Sequence, residues 1–477
     1  MKPQQKLALD LLEPGESTQT YLNSEKVIPS GITSKMLYKD IITIAWPSLL
    51  ELMLTQLASM VDMIMVGRLG ASALTAVGLT TQPKFLIIAI LTSINVGTTA
   101  LVARNKGRGK QEKANLVLRQ AILVNIFIST LISIIMYIAA EPVIKFMGAT
   151  DALSLKEGTE YLKIQMFGIL ALGLTGTITA ALRGAGNSKT AMIYNLMGNL
   201  VNVVFNYALI YGNFGFPELG VAGASIATVI GQFAAFIMAY VAVTGHRNYV
   251  RFRLKDGIKP DLKMMGAISD IGIPALIEQI VMRIGLIAYA KTVASLGTLA
   301  FAVHNVCMNI QALSFMNGQA FAVSATSLVG QSLGKKRADM AKLYAVRSRR
   351  TGTLVSVLLM ILFFAFPKQI ISLYNSDPEI VNLGARILLM VSIIQIPQGS
   401  QFIISGILRG AGDTKATAMI ITVTTLFLRP VLAIIMINVF HMGLEGAWIA
   451  LIADQLLRSL LVLLRFSSGK WITKLDK

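Results

Sequence analysis

The recurrence of long apolar stretches constrains this chain more than any other feature of its sequence. Runs of 18 or more predominantly apolar residues follow one another between residues 38 and 466. A run of this length crosses the hydrocarbon core of a bilayer as a single helix. Only 14% of the residues are charged, whereas soluble proteins contain about 25%, and the mean hydropathy is +0.66. The sequence therefore predicts an all-α polytopic membrane protein.

The connections between these runs carry the charge pattern that orients them. We predict about twelve spans, roughly at 38–66, 78–102, 115–139, 159–182, 189–211, 221–245, 266–293, 299–331, 351–367, 382–407, 415–437 and 444–466. Three connections, 103–114, 246–263 and 334–350, contain five, six and seven Lys or Arg residues. An excess of Lys and Arg marks cytoplasmic loops. A twelve-span path therefore places these loops and both termini on the cytoplasmic side of the plasma membrane.

The formal net charge of +19 has the same explanation. In a soluble protein such a charge would indicate a nucleic-acid partner. Here the basic residues lie beside the apolar runs, so we expect them to set topology and contact lipid headgroups, without a nucleic-acid partner. The single cysteine, Cys307, excludes a disulfide framework and a paired-cysteine metal site. Residues 1–36 lack the apolar core of a signal peptide, and we expect a flexible cytoplasmic tail there.

The chain contains an internal repeat. LRGAGNSKT at 182–190 returns as LRGAGDTKA at 408–416. Residues 46–78 align without a gap with residues 273–305, at an offset of 227, and GVAGASIATVIGQ at 220–232 matches GLEGAWIALIADQ. We therefore predict two six-helix lobes of the same orientation, related by a pseudo-two-fold axis along the membrane normal. The predicted parts are a cytoplasmic tail (1–37), an N-lobe (38–245), a basic cytoplasmic linker (246–265), a C-lobe (266–466) and a cytoplasmic C-terminal tail (467–477).

Each LRGAG phrase is typical of a tight turn between two helices. The glycines permit backbone angles that other residues resist, and Asn187 and Asp413 stand where they can cap the following helix. The segment GAGNSKT superficially resembles a phosphate-binding loop, but Ser188 precedes Lys189, so the required Gly-Lys pair is missing. The phrase therefore supplies no nucleotide-binding motif.

Several segments together resemble the multidrug and toxic-compound extrusion (MATE) family. They are the proline-led first helix ending VDMIMVGRLGASALTAVG, the two LRGAG turns, NLVNVVFNY and GVAGASIATVIGQ, and the resemblance covers about residues 38–466. It implies a twelve-helix exporter with two lobes around a central cavity. Such an exporter exchanges small organic compounds, cationic or amphipathic in character, for Na⁺ or H⁺. We expect no cofactor besides the coupling ion, and we expect a monomer in the lipid bilayer.

Asp62 is the first charge that stands inside an apolar run. An isolated carboxylate at membrane depth is costly, so it must be paired, protonated or bound to a cation. Asn202 and Asn206 are spaced i, i+4, which places both amides on one helix face. Their oxygens suit a hard cation such as Na⁺, or they steady a carboxylate that gains and loses a proton, or they only bond neighbouring helices. The resemblance implies a coupling-ion site at Asp62, Asn202, Asn206 and Thr228, and an asparagine rather than a second acid at 206 modestly favours Na⁺.

Other polar residues in the apolar runs are candidates for substrate contact or for structural pairing. Glu51 and Glu278 are repeat equivalents near the starts of their helices, where they either face the central cavity and attract cations or simply interact with the helix dipole. Tyr289 is the repeat partner of Asp62, and Gln398 stands where some family members carry an acid; both are substrate-cavity candidates. Arg429 is expected to form a structural or gating ion pair with Asp454.

Three other classes of function compete with this reading. A flippase for a lipid-linked oligosaccharide can share the architecture, but it would need several basic residues in the cavity to hold a pyrophosphate. An intramembrane enzyme is disfavoured because the three histidines are widely separated and the sequence contains no HExxH, no GxSxG and no paired-aspartate motif. A channel is disfavoured because the two halves are asymmetric and no segment is filter-like.

Overall fold

We describe the protein from a computed structural model of the 477-residue chain. The structure describes residues 7–15, 28–149, 151–246, 248–253, 257, 259–375 and 377–472, and within these ranges it contains helices and no strands. Twelve helices of the described chain are long and apolar enough to cross a membrane. The predicted all-α polytopic architecture and the predicted count of spans are confirmed.

The first half of the chain supplies six of the twelve candidate spans and one short helix. In chain order the helices are α1 (Ser34–Gly67), α2 (Ala71–Gly107), α3 (Gln111–Ile138), the short α4 (Ala140–Phe146), α5 (Ala152–Gly184), α6 (Ser188–Tyr211) and α7 (Gly220–Thr244). Several are longer than the apolar runs that predicted them. The 37 residues of α2 extend about 55 Å, whereas the hydrocarbon core is about 30 Å thick, so polar ends of the helix project beyond it.

The second half repeats this order. Its helices are α8 (Leu262–Ala294), α9 (Thr298–Gly334), α10 (Ala338–Ala365), the short α11 (Pro367–Ser372), α12 (Pro378–Gly410), α13 (Thr414–Ile421), α14 (Arg429–Asn438) and α15 (Gly443–Ser467). A π-helical segment, Thr422–Leu428, joins α13 to α14 within one candidate span. Pro430 lies two residues after the end of this segment, in the first turn of α14. Because proline has no backbone N–H and its ring clashes with the carbonyl four residues earlier, the wider helical register relieves the conflict.

The chain divides into two compact units. The first unit contains Leu50–Gly272, and the second contains the described residues before Leu50 together with Ile273–Lys477. The division therefore passes through α1 and α8, close to Pro47 and Pro274, rather than through the basic linker.

The first unit packs α2, α3, α5, α6 and α7 around an apolar core. Helices α6 and α7 approach closely where Gly198 faces Gly231. A Cβ atom on Gly231 would lie 2.7 Å from the Gly198 carbonyl oxygen and 2.8 Å from Asn202 Cβ. Because both residues at this crossing are glycine, no side chain separates the helices there. Helix α7 can therefore bring its side chains against the α6 face that carries the asparagines.

The second unit packs α9, α10, α12 and α15 around its own core. Residues of the N-terminal tail join that core, because Leu7, Ala8 and Leu9 are buried at the start of a short 3₁₀ helix, Ala8–Leu11. The Ala8 amide donates to Asp40 Oδ2 at 2.8 Å, and Lys335 Nζ donates to the Leu9 carbonyl at 2.9 Å. The expectation of a flexible tail is therefore wrong for these residues, since their apolar side chains have a packing surface.

The two LRGAG turns have the predicted glycine geometry and differ in their caps. Gly186 and Gly412 adopt φ values of 81° and 78°, in the left-handed region that favours glycine. The Asn187 side chain caps α6 by accepting from the Thr190 amide at 3.2 Å. The cap expected from Asp413 is absent, because its carboxylate accepts instead from Arg465 Nε at 2.7 Å. In the bond to arginine both partners are charged, whereas a backbone amide is a neutral donor.

Candidate cation site

The predicted cation ligands meet in the first unit, at the contact of α1, α6 and α7. Asn206 Nδ2 donates to Asp62 Oδ1 at 2.5 Å. The Asn202 amide lies between Asp62 and Thr228. The hydrogen-bond network orients its nitrogen toward both Asp62 carboxylate oxygens, at 3.1 Å each, and its oxygen toward Thr228 Oγ1, at 3.3 Å. All four residues named from the sequence are thus brought together.

Three of these four side chains border a cavity of about 160 Å³. Asp62, Asn206 and Thr228 contribute to its wall. Within the described part of the chain, Asn206 Oδ1 is buried and receives no hydrogen bond. A buried carbonyl oxygen without a donor is unfavourable unless a cation or a water supplies the partner. The carboxylate, amide and hydroxyl oxygens around the cavity therefore fit a small hard cation.

Lys84 is the group in this cavity that the sequence analysis missed. It lies in α2 directly after Pro83, and its side chain borders the same cavity as Asp62. Lys84 Nζ lies 5.2 Å from the centroid of the Tyr161 ring, which also lines the cavity. A lysine embedded in an apolar run was the signal that could have identified it.

The acids Glu51 and Glu278 form matching ion pairs, one in each unit. Glu51 lies 2.8 Å from Arg183 of the first LRGAG turn and accepts from Asn195 at 2.8 Å. Glu278 binds Arg409 of the second LRGAG turn. Both carboxylates are buried and have their charge balanced by arginine. These ion pairs support a structural role, in which each acid holds the arginine of an LRGAG turn. Attraction of cationic substrates by the two acids stays a prediction.

The buried charges of the second unit form a network of three residues. Arg429 Nε donates to Asp454 Oδ2 at 2.8 Å, which is the pair expected from the sequence. Arg458, one turn along α15, also donates to both Asp454 oxygens, at 2.8 and 2.6 Å. The same guanidinium reaches Thr424 and Thr425 of the π-helical segment. The sequence analysis missed Arg458, although its i, i+4 spacing from Asp454 in an apolar run was a usable signal.

The second unit has a different group where the first has Asp62. Tyr289 is 1% exposed, and its hydroxyl donates to the Ala447 carbonyl at 2.8 Å. The Arg429 guanidinium lies 5.6 Å from the centroid of its ring. Gln398 is also buried and accepts from Gln311 Nε2 at 3.3 Å. Substrate contact by Tyr289 and Gln398 therefore stays a prediction, and both occupy the packed interior of their unit.

Comparison with known proteins places the whole helical region in one family. A family model described as MatE matches residues 47–208 and 274–435, which correspond to the two repeats. The Probable multidrug resistance protein NorM of Thermotoga maritima is 30% identical over 439 residues, covering 91% of this chain and 93% of that protein. Multidrug resistance protein MdtK of Yersinia pestis is 28% identical over 443 residues, covering 91% of this chain and 96% of that protein.

Solved structures share the fold. The outward-facing conformation of a multidrug resistance MATE family transporter of the MOP superfamily superposes with a TM-score of 0.84 at 22% identity, covering 91% of this chain and 97% of that chain. A crystal structure of MATE in complex with MaD3S gives a TM-score of 0.85 at 22% identity, covering 92% and 97%.

Proposed function

This chain belongs to the MATE family of multidrug efflux transporters, and we propose that it exports organic cationic or amphipathic compounds in exchange for Na⁺ by alternating access. The observation that carries the proposal is the convergence of Asp62, Asn202, Asn206 and Thr228 in one hydrogen-bonded cluster beside a cavity. One carboxylate balances one monovalent cation, and the neutral oxygens replace part of its hydration shell. Two relatives of similar length are named multidrug resistance proteins, which supports drugs as the exported class.

Coupling requires that the cation and the drug favour different arrangements of the bundle. Asp62 lies on α1, whereas Asn202 and Thr228 lie on α6 and α7. A cation held by oxygens from three helices stabilises the arrangement in which those helices meet. When the cation leaves, the three helices lose that shared partner, and another arrangement becomes accessible. The drug need not touch the cation for the two to exchange.

The basic loops support a plasma-membrane location with both termini in the cytoplasm, and we expect the transporter to act as a monomer. The alternative function, a lipid-linked oligosaccharide flippase, needs basic residues that can reach a pyrophosphate. Arg429 and Arg458 are only 3% and 2% exposed and are tied to Asp454. This placement favours drug export over lipid flipping.

Drug efflux in inverted membrane vesicles tests the proposal. Transport is measured with the Na⁺ and H⁺ gradients collapsed separately, for the wild type and for Asp62→Asn. We expect collapse of the Na⁺ gradient to stop wild-type efflux, and we expect Asp62→Asn to lose the response while still eluting as a folded monomer. Dependence on the H⁺ gradient alone would replace Na⁺ with H⁺ as the coupling ion. Unchanged gradient-driven efflux by Asp62→Asn would show that coupling does not depend on this cavity. The control is Glu445→Gln, which changes an exposed acid.

A further inference from the structure

The cation cavity of the first unit already contains a positive charge that belongs to the protein. Lys84 and Asp62 both line this cavity, and Lys84 contributes an ammonium group to it. A lysine inside a membrane span is costly to retain and therefore calls for a function. Neither the hydrophobic core nor the ligand set of the cation explains its presence.

The helix geometry directs the Lys84 side chain toward Asp62. Side chains of a helix lean toward its N-terminus. The N-terminus of α2, at Ala71, follows the end of α1, at Gly67, after a short turn. Asp62 lies in the last turns of α1, near that same end. The flexible four-carbon stem of lysine can therefore move the ammonium between the wall of the cavity and the carboxylate.

Tyr161 gives the ammonium a second resting place. Its ring lies 5.2 Å from Lys84 Nζ and lines the same cavity. An aromatic face attracts a cation less strongly than a carboxylate does. In the structure the ammonium lies over the ring, while the Asp62 oxygens are engaged by the two asparagines.

We propose that Lys84 is a tethered cation that competes with Na⁺ for Asp62. With the site empty of Na⁺, the ammonium neutralises the carboxylate. When Na⁺ enters, the ammonium withdraws to the face of Tyr161. Na⁺ must therefore displace the ammonium from a carboxylate that is already neutralised. The consequence is a lowered affinity for Na⁺, which lets the ion leave again on the opposite side of the membrane. The inference rests on the proposed Na⁺ coupling at Asp62.

Binding of radioactive Na⁺ to the purified full-length protein tests this competition. The variants are Lys84→Met, which keeps the stem and removes the charge, and Lys84→Arg, which keeps the charge. Lys163→Met is the matched control, because Lys163 Nζ also lies over a tyrosine ring of the same unit, 5.5 Å from the Tyr137 centroid, but borders a different cavity. If Lys84→Met does not fold, as judged by its melting curve, Lys84→Gln takes its place.

We expect Lys84→Met to bind Na⁺ about tenfold more tightly than the wild type, a difference of about 1.4 kcal/mol. Lys84→Arg should bind Na⁺ no more tightly than the wild type, because its guanidinium keeps the charge and pairs with carboxylates. Lys163→Met should leave the affinity unchanged. An unchanged or weaker Na⁺ affinity in Lys84→Met overturns the competition. Asp62→Asn separates the two ideas: if it abolishes Na⁺ binding while Lys84→Met changes nothing, only this inference fails. If Asp62→Asn still binds Na⁺ normally, the proposed site and the competition both fail.

Discussion

The folding stability of the second unit depends on one buried carboxylate. Asp454 is fully buried and accepts hydrogen bonds from two guanidinium groups, those of Arg429 and Arg458. The substitution Asp454→Asn keeps the size of the side chain and removes its charge. It leaves two arginines, 3% and 2% exposed, without a balancing carboxylate.

The size of the destabilisation follows from the composition of this network, in which two arginines share one carboxylate. Removing the partner of a buried ion pair costs about 3–5 kcal/mol, because the remaining charge stays desolvated. For a unit of this size 1 kcal/mol corresponds to about 2–4 °C, so Asp454→Asn should lower the melting temperature by roughly 6–20 °C. Arg458→Met, by contrast, leaves the balanced pair of Arg429 and Asp454 in place. It should cost only about 1–3 kcal/mol through its lost hydrogen bonds.

The chain provides its own reporter for the measurement. Cys307 is the single cysteine, it is fully buried, and it lies in α9 of the second unit. A thiol-reactive fluorogenic dye therefore reports the unfolding of this unit as the detergent-solubilised protein is heated. Glu445→Gln is the control, because its ion pair with Arg386 is exposed and should contribute at most about 1 kcal/mol. The reasoning is refuted if Asp454→Asn melts within about 2 °C of the wild type, or no lower than Arg458→Met.

Two further predictions concern the walls of the cation cavity. Asn206→Ala removes a buried oxygen from the site and should weaken the Na⁺ dependence of efflux about tenfold. Asn199→Ala, two turns earlier in α6, removes an amide that bonds Thr55 rather than Asp62 and should leave the Na⁺ dependence unchanged. Equal effects of the two substitutions would contradict the assignment. Gly231→Ala would place a Cβ atom 2.7 Å from the Gly198 carbonyl oxygen, so we expect a loss of about 1–3 kcal/mol of stability together with weaker Na⁺ binding. The control in a thermal melt is Gly78→Ala, because Gly78 lies in α2 and faces open space. An equally small shift in melting temperature for both variants would show that the helices can separate without cost.

The repeat is preserved in its buried acid–arginine pairs and differs at the proposed cation site. Glu51 with Arg183 and Glu278 with Arg409 repeat the same acid and the same turn arginine in both units. The position of Asp62 is instead taken by Tyr289 in the second unit, beneath the guanidinium of Arg429. A carboxylate can hold an exchangeable cation, whereas a phenol packed under a fixed cation cannot. The two units therefore contribute differently to the proposed transport.

The sequence by itself determined the architecture, because hydropathy and Lys/Arg distribution are properties read along the chain. Twelve spans, the two repeats and the glycine turns all follow from local composition and spacing. The i, i+4 spacing of Asn202 and Asn206 also follows from helix geometry, and with the family resemblance it was enough to name Asp62 as their partner. The helix ends were less predictable, since polar turns continue α2 beyond the apolar run.

The tertiary structure decided which side chains meet. In the sequence Lys84 is marked only as a lysine in an apolar run; its neighbours in the cavity, Asp62 and Tyr161, come from α1 and α5. Asp413 occupies a helix-capping position in the sequence, but in the fold its carboxylate accepts a hydrogen bond from Arg465 of α15. Pairing across helices depends on which faces approach and how closely, and a single glycine contact such as that of Gly231 sets that distance. Such distances are not encoded in any one segment, because each arises from the packing of several helices together.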